Sequence, residues 1–559
     1  MRRLCLVLLT PILLHAGWTE YRSGPFNVIT DNGAREAREV LAHLEQTRHV
    51  FGALTGKQDA KTLWPIRVVV FKNARDAARY SSLPPLSLAR EEQVAVVTAG
   101  APVPRELTRA LVQVLLDSNL AARMPADFED AFLTLLSTLE VKATRITLGV
   151  PPPVAERTPT WARLHLLATS PEYSGKVRVL LFNLQQGGDP DPAYRNAFEK
   201  PAAALDKEAA AYLAAGVFKP VPFSGRPIDP EKQFHDRSLE SDEVQLRMAD
   251  LLLAEPGKEV AARTACQTIL NASASTLEAH ECLGLLALRA GDKAAAASEL
   301  KIAAGEGNRS ARVPYELAKL SPEKSQENLE AAAKLNPRWA EPYRVMADQA
   351  KNAARQSQLL KTAASLAPRD VSLWRRLAEL YTNLNQHSEA AAAWAAADRA
   401  AANPQERASV MEAREAMQRV RVQREDDERA RAAAEEARAI AKLKEEAEAR
   451  VHAAEQKANA SNGGPPAAKV EKWWDGPKTN KVTGTLQRVE CLARGQARLH
   501  LLTAEGKPMA LLVRDPKAIV IMGSASEATL GCGPLKPPKQ VIVEYLPKTP
   551  PEVAVLQFQ

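Results

Sequence analysis

LWRRLAELYTNLNQHSEAAAAWAAADRA, residues 373–400, decides the architecture of the middle of the chain. Trp374, Leu377, Ala378 and Tyr381 recur at i, i+3, i+4 and i+7, so they share one face of a first helix. Ala390, Trp394 and Ala397 do the same on a second helix after the polar turn NLNQHS. A small residue on the first helix opposite a large one on the second lets the two approach closely. Such a hairpin buries its apolar face only by stacking against neighbours, so further copies are expected beside it.

They are present. LGLLALRAGDKAAAASELKIA begins at Leu283, with Gly284 at the small position and Ala296 in the second helix. LAKL begins at Leu317, 34 residues later, with Ala318 at the small position. The endings AKLNP and ASLAP put Pro337 and Pro368 where each copy closes. This pattern resembles the tetratricopeptide repeat, over residues 236–404, with shortened middle copies. The resemblance implies an all-α solenoid whose concave surface binds a protein or peptide partner.

Downstream, residues 405–460 are almost entirely Ala, Glu, Arg, Lys and Gln, which predicts a long exposed helix laced with opposite charges three or four apart. A strict a/d seam is not sustained along the whole run. Most candidate seam positions are alanine, so a coiled-coil oligomer through this helix and a solvated spacer both stay open. NASNGGPPAAK reads as a linker, assigned to 461–470. Residues 471–559 hold six short alternating runs in a small β-domain, a barrel or a sandwich. WWDG (473–476) is expected to plug one end of it.

Upstream, residues 18–230 mix strands (FNVIT, IRVVVFK, EQVAVVTAG) with helices in an α+β domain. Its helix RELTRALVQVLL (105–116) opens on a near-motif. A zinc-peptidase helix carries HExxH because i and i+4 share a face, where two imidazoles hold the metal and the glutamate polarises its water. Here Glu106 stands, and both ligand positions are arginine, Arg105 and Arg109.

The order of elements, with RMPADFEDAFLTLLSTLEV after the motif, resembles exported bacterial gluzincin-like peptidases of the MA type that precede tetratricopeptide repeats. The resemblance implies a zincin-like fold and puts Asp130 at the third ligand. The departures decide the chemistry. A guanidinium stays protonated and offers a metal no lone pair, and one carboxylate does not hold catalytic zinc alone. The expectation is a pseudo-peptidase with no catalytic residues, no metal and no cofactor, in which Asp130, with or without Glu106, pairs with Arg105 or Arg109 across two helices. His165, on an apolar helical face, reads as a core histidine. GxSxG elbows and phosphate-binding glycine loops are absent from the sequence.

The start, MRRLCLVLLTPILLHAG, reads as a secretory signal (1–17) removed near Ala16–Trp18, and no later run is apolar for long enough to cross a membrane. The expected location is periplasmic or secreted. Cys491–Cys532 is the better disulfide candidate; Cys266 and Cys282 are either a second disulfide or two small core residues. The net charge of +7 is spread among intermixed acids and bases without a basic aromatic stripe, so a nucleic-acid partner is not expected. The chain thus reads as a multidomain, exported, non-catalytic interaction protein with its domains in series. The rivals are a metal-dependent hydrolase with a displaced site around Glu106 and Asp130, and a structural protein of the cell envelope.

Overall fold

IRVVVF (66–71) does not alternate because both of its faces are buried, and the strand it forms, β3 (Ile66–Phe71), lies inside a six-stranded sheet. The computed structural model describes every residue except 1–16, 143–144, 188–189, 462–477, 516–517, 523–530 and 559. The expected signal segment up to Ala16, the linker beyond Ser461 and WWDG therefore lie outside the described residues. Two compact units are distinguished, 1–434 and 435–559.

In the first unit, β1 (Thr19–Ser23) and β2 (Phe26–Thr30) form a hairpin. Helix α1 (Ala34–Thr55) crosses over to β3, which pairs parallel with β2. The short α2 (Ala74–Ala77) and β4 (Ser87–Ala89) lead to β5 (Glu92–Thr98), parallel to β3 and antiparallel to β4. Helices α3 (Arg105–Asn119) and α4 (Ala126–Ser137) pack under the sheet with α1. A three-stranded sheet of β6 (Glu140–Lys142), β7 (Arg145–Leu148) and β8 (Val221–Ser224) follows. Between β7 and β8 run α5 (Pro159–Thr169), α6 (Val177–Leu184), α7 (Asp191–Phe198) and α8 (Ala202–Ala215). After α9 (Pro230–Gln233), β9 (His235–Ser238) returns to pair with β1, so the main sheet runs beyond the expected boundary at 230.

The helical hairpins begin at once. They are α10 (Ser241–Ala254) with α11 (Glu259–Ala272), α12 (Leu277–Arg289) with α13 (Lys293–Ala303), and α14 (Arg312–Leu320) with α15 (Ser325–Leu335). Then come α16 (Ala340–Asp348) with α17 (Ala353–Leu366), and α18 (Val371–Asn383) with α19 (His387–Ala400). The first pair was not among the copies read from the sequence. Gly284 shows why the small position matters: a Cβ there would lie 2.6 Å from Cγ of Leu300 on the facing helix. Cys266 is disulfide-bonded to Cys282, tying α11 to α12.

The domains are not simply strung in series. Val28, Val68, Val70, Ala95 and Val97 face α1, α3 and α4, while Ile29, Val69, Phe71 and Val94 on the opposite face pack with Leu251 and Ala254 of α10. A doubly apolar sheet needs cover on both sides, and the first repeat helix supplies the second layer. The sheet and the solenoid therefore form one body.

The last long helix, α20 (Pro404–Ser461), opens as a cap. Val410, Ala413 and Met417 close the apolar face of the last hairpin, as a terminal helix must in a stacked array. Beyond its first turns the described side chains of α20 are exposed almost without exception.

In the second unit, β10 (Asn480–Cys491) pairs with β11 (Ala497–Thr503), and β11 with β12 (Pro508–Val513). A short β13 (Val520–Met522) flanks β15, and β14 (Gly533–Leu546) joins β10 to β15 (Glu552–Phe558). One parallel pairing, Leu512 with Glu552, brings β15 against β12. The β12–β15 pairing closes β10, β11, β12, β15 and β14 into a ring, with β13 beside β15 as the sixth strand, so the alternatives of barrel and sandwich resolve to the barrel. Alternate residues Leu499, Leu501, Leu511, Val513, Val541 and Val543 fill it. Cys491 is bonded to Cys532.

Candidate functional site

Helix α3 follows Pro104, which holds its entry extended, and buries Leu107, Thr108, Leu111, Val112 and Leu115. Arg105 and Arg109, one turn apart, reach toward α4 and the turn beyond it. Arg109 Nη2 donates to Asp130 Oδ1 at 2.6 Å, and its Nη1 donates to Thr134 Oγ1 at 3.0 Å. The cross-helix ion pair is thus present between the two motif helices. Arg105 instead donates both Nη groups to the carboxylate of Glu156 (2.9 and 2.5 Å), with its Nε on Ser137 Oγ at 3.1 Å. This hydrogen bonding holds the Glu156 carboxyl below its ordinary range and raises Arg105. Glu156 was not among the residues read from the sequence, because it comes from a turn remote from both helices.

Glu106 is exposed and lines a shallow cleft of about 370 Å³ with Tyr80, Pro84, Pro85, Val96 and Leu107. The residues that line this cleft do not include Asp130. His43, on α1, lies beneath the motif helix, 2.9 Å from Thr108 Oγ1, and burial pushes its pKa down to about 4. His165 is buried with one ring nitrogen 2.7 Å from the Gly149 carbonyl and the other 2.9 Å from the Tyr212 hydroxyl. It is a core histidine with both nitrogens satisfied. No group of three or more His, Cys, Asp or Glu is arranged to hold a metal among the described residues.

A second constellation lies where the sheet meets the solenoid. Arg67, the lone charge in IRVVVF, is fully buried and donates to Asp250 Oδ2 of α10 at 3.0 Å; it also contacts Glu92. Arg90 donates to both oxygens of Asp250 (2.8 and 2.9 Å) and lies 3.4 Å from Glu281 of α12. Burial alone would raise Asp250, but Arg90, Arg67 and Arg247 outweigh it and hold the carboxyl well below its usual range. Burial pulls Arg67 down to about 9, which leaves it charged at neutral pH. Glu91 accepts the backbone N–H of Arg312 at 2.9 Å, and burial, with Glu281 nearby, pushes it up to about 7.

The junction continues along the turns that lead into successive first helices. Trp64 packs edge-on against Trp339, Arg338 donates to the Thr62 carbonyl, and Arg369 bonds Asp117 and Glu129. A cavity of about 700 Å³ between sheet and solenoid is lined by Arg22, Trp64, Glu91, Arg237, Glu278 and Arg309 among others. Its charges are of both signs, and two pairs lie within the lining, Arg237 with Glu243 and Arg90 with Glu281. The signal for this junction was in the sequence: a charge inside a doubly buried strand requires a buried counter-ion.

Leu377, Ala378, Ala390, Trp394 and Ala397 are buried together, and Trp374 and Tyr381 pack against them half-buried. Leu283, Leu317, Ala296 and Ala318 are buried in the earlier hairpins. The surface of α16 and α18 beside them carries Arg344, Arg375, Arg376 and Glu379.

No family model matches the sequence, and no curated protein matches it. Among solved structures, the chain is similar to MamA residues 41 to the end from Desulfovibrio magneticus RS-1, at 14% identity and a TM-score of 0.25, over 32% of this chain and 97% of that one. It is also similar to TTC0263, a thermophilic TPR protein of Thermus thermophilus, at 22% identity and a TM-score of 0.24, over 31% and 98%. YrrB, a TPR protein with an unusual peptide-binding site, matches at 14% identity and a TM-score of 0.26, over 30% and 90%.

Proposed function

We propose that the chain is an exported, non-catalytic interaction protein, in which a peptidase-like domain without metal chemistry is fused to a repeat solenoid that takes a protein or peptide partner. The observation that carries the non-catalytic part is the use of Arg105 and Arg109 as cross-links, with Asp130 and Glu156 as their counter-ions. Two permanent cations on the motif face repel a divalent metal, and the carboxylate at the third-ligand position is already engaged. A hydrolase built on Glu106 and Asp130 would need both at one centre. The two disulfides support an oxidising compartment.

The binding surface is assigned to α16 and α18, where Arg344, Arg375 and Arg376 lie clear of the sheet junction. Each of the three is paired with a carboxylate of the same surface, Arg344 with Glu341, Arg375 with Glu379 and Arg376 with Asp348, so the surface offers a peptide partner both signs of charge. The test is fluorescence polarisation of the full chain with an acidic and a basic labelled peptide library, followed by mass spectrometry of the bound peptides. Bound peptides should stay intact and lose affinity about tenfold or more in Arg344→Glu/Arg376→Glu. Cleavage of the peptides, or binding indifferent to those substitutions, would overturn the proposal.

A further inference from the structure

We infer that residues 430–454 of α20 form a parallel, in-register coiled coil with a second copy of the chain. Ala430, Ala437, Lys444 and Val451 recur every seven residues, and Ala433, Ile440, Ala447 and Ala454 recur every seven between them. Together they make an a/d seam of about 37 Å at the helical rise. The seam is uncovered: Ile440 is 47% and Val451 54% exposed, and Leu443 beside them is 65% exposed. By contrast Val410, on the same helix, is buried against the solenoid. The helix therefore changes role along its length, from cap to unpartnered apolar face.

The occupant follows from the charges flanking the seam. On one flank the e positions are Ala434, Ala441, Glu448 and Glu455; on the other the g positions are Glu436, Leu443, Arg450 and Lys457. Around Val451 the helix is thus acidic on one side and basic on the other. In a parallel pair each g flank meets the partner's e flank, so Arg450 faces Glu455 of the second copy twice by symmetry. An antiparallel pair would set Glu448 and Glu455 against their own kind, and Arg450 against Lys457. Lys444, the single charge at an a position, adds to the choice, because a lone polar a residue fixes register in a two-stranded coil at some loss of affinity. Ion pairs along α20 run between Glu415 and Arg429, and Glu448, Arg450 and Glu455 make none among the described residues. The mostly alanine seam predicts a weak dimer, populated at micromolar concentrations and above.

Sedimentation equilibrium of the full chain tests the stoichiometry, and single cysteines test the geometry. Ala433→Cys, Ala447→Cys and Ala454→Cys are each expected to self-cross-link, since every d layer meets itself in a parallel in-register pair. An antiparallel pair allows that at one layer at most. Arg450→Glu should weaken the dimer about tenfold, and adding Glu455→Arg should restore it. Ile440→Glu/Val451→Glu, on an exposed face, should give a folded monomer with an unchanged melting curve. A monomer at ~100 μM, a trimer or tetramer, or cross-linking at only one of the three cysteines would overturn the inference.

Discussion

Arg67 of the central strand donates to Asp250 of the first repeat helix at 3.0 Å, with both side chains buried. The pair joins two segments that the sequence reads as separate domains. A buried ion pair is weak as a source of stability, but breaking it leaves a charge stranded in the interior. Asp250→Ala should therefore destabilise the chain by about 3–5 kcal/mol, because it strips Arg67 and Arg90 together. Arg67→Met/Asp250→Leu should be milder than Asp250→Ala. Urea denaturation of the three proteins measures both.

The same contact predicts what truncation does. A fragment ending at residue 230 loses β9 from the edge of the sheet and α10 from its face, exposing Ile29, Val69, Phe71 and Val94. It should be aggregation-prone or loosely packed, with weak near-ultraviolet circular dichroism. A fragment of residues 18–421, which keeps the capping turns of α20, should unfold cooperatively.

Much of this was readable from the sequence, and the failures have physical causes. The hairpin at 373–400 announces itself through Trp374, Tyr381 and Trp394, whereas the hairpin of α10 and α11 has no aromatic residue to mark it. The boundary at 230 fell short because β9, HDRS, is short, polar and exposed, and only its pairing with β1 identifies it. Barrel closure rests on one long-range pairing, which alternation within a strand cannot reveal. Asp130 was singled out by the resemblance to the peptidase family, which left its partner open between Arg105 and Arg109; Glu156 was not, since nothing in the sequence brings its turn to Arg105.

Glu91 gives the junction a pH dependence. Its pKa is raised from 4.5 to about 7 in the folded chain, so the native state holds the proton more tightly than the unfolded one. Its contribution is therefore greatest below about pH 4.5 and is lost as pH rises through about 7. Glu281, also raised by burial, acts in the same direction. Glu91→Gln should flatten the decline in stability between about pH 5 and pH 7.5, as measured by thermal melts in that window.

The motif pairs should matter little for stability. Arg109 and Asp130 are 35% and 60% exposed, so solvent screens them. Asp130→Ala and Arg109→Ala should each cost no more than about 1 kcal/mol, roughly a third or less of the effect of Asp250→Ala. Chemical denaturation distinguishes the two sites directly.

The zinc content and Zn²⁺ affinity of the full chain, by elemental analysis and calorimetry, most directly test the proposal that residues 18–230 form a peptidase-like domain without metal chemistry. The expected result is no stoichiometric zinc and a melting temperature indifferent to chelator, because arginines stand where the motif needs imidazoles. One tightly bound zinc per chain, released by chelator with loss of stability, would contradict the pseudo-peptidase reading and bring the hydrolase to the front.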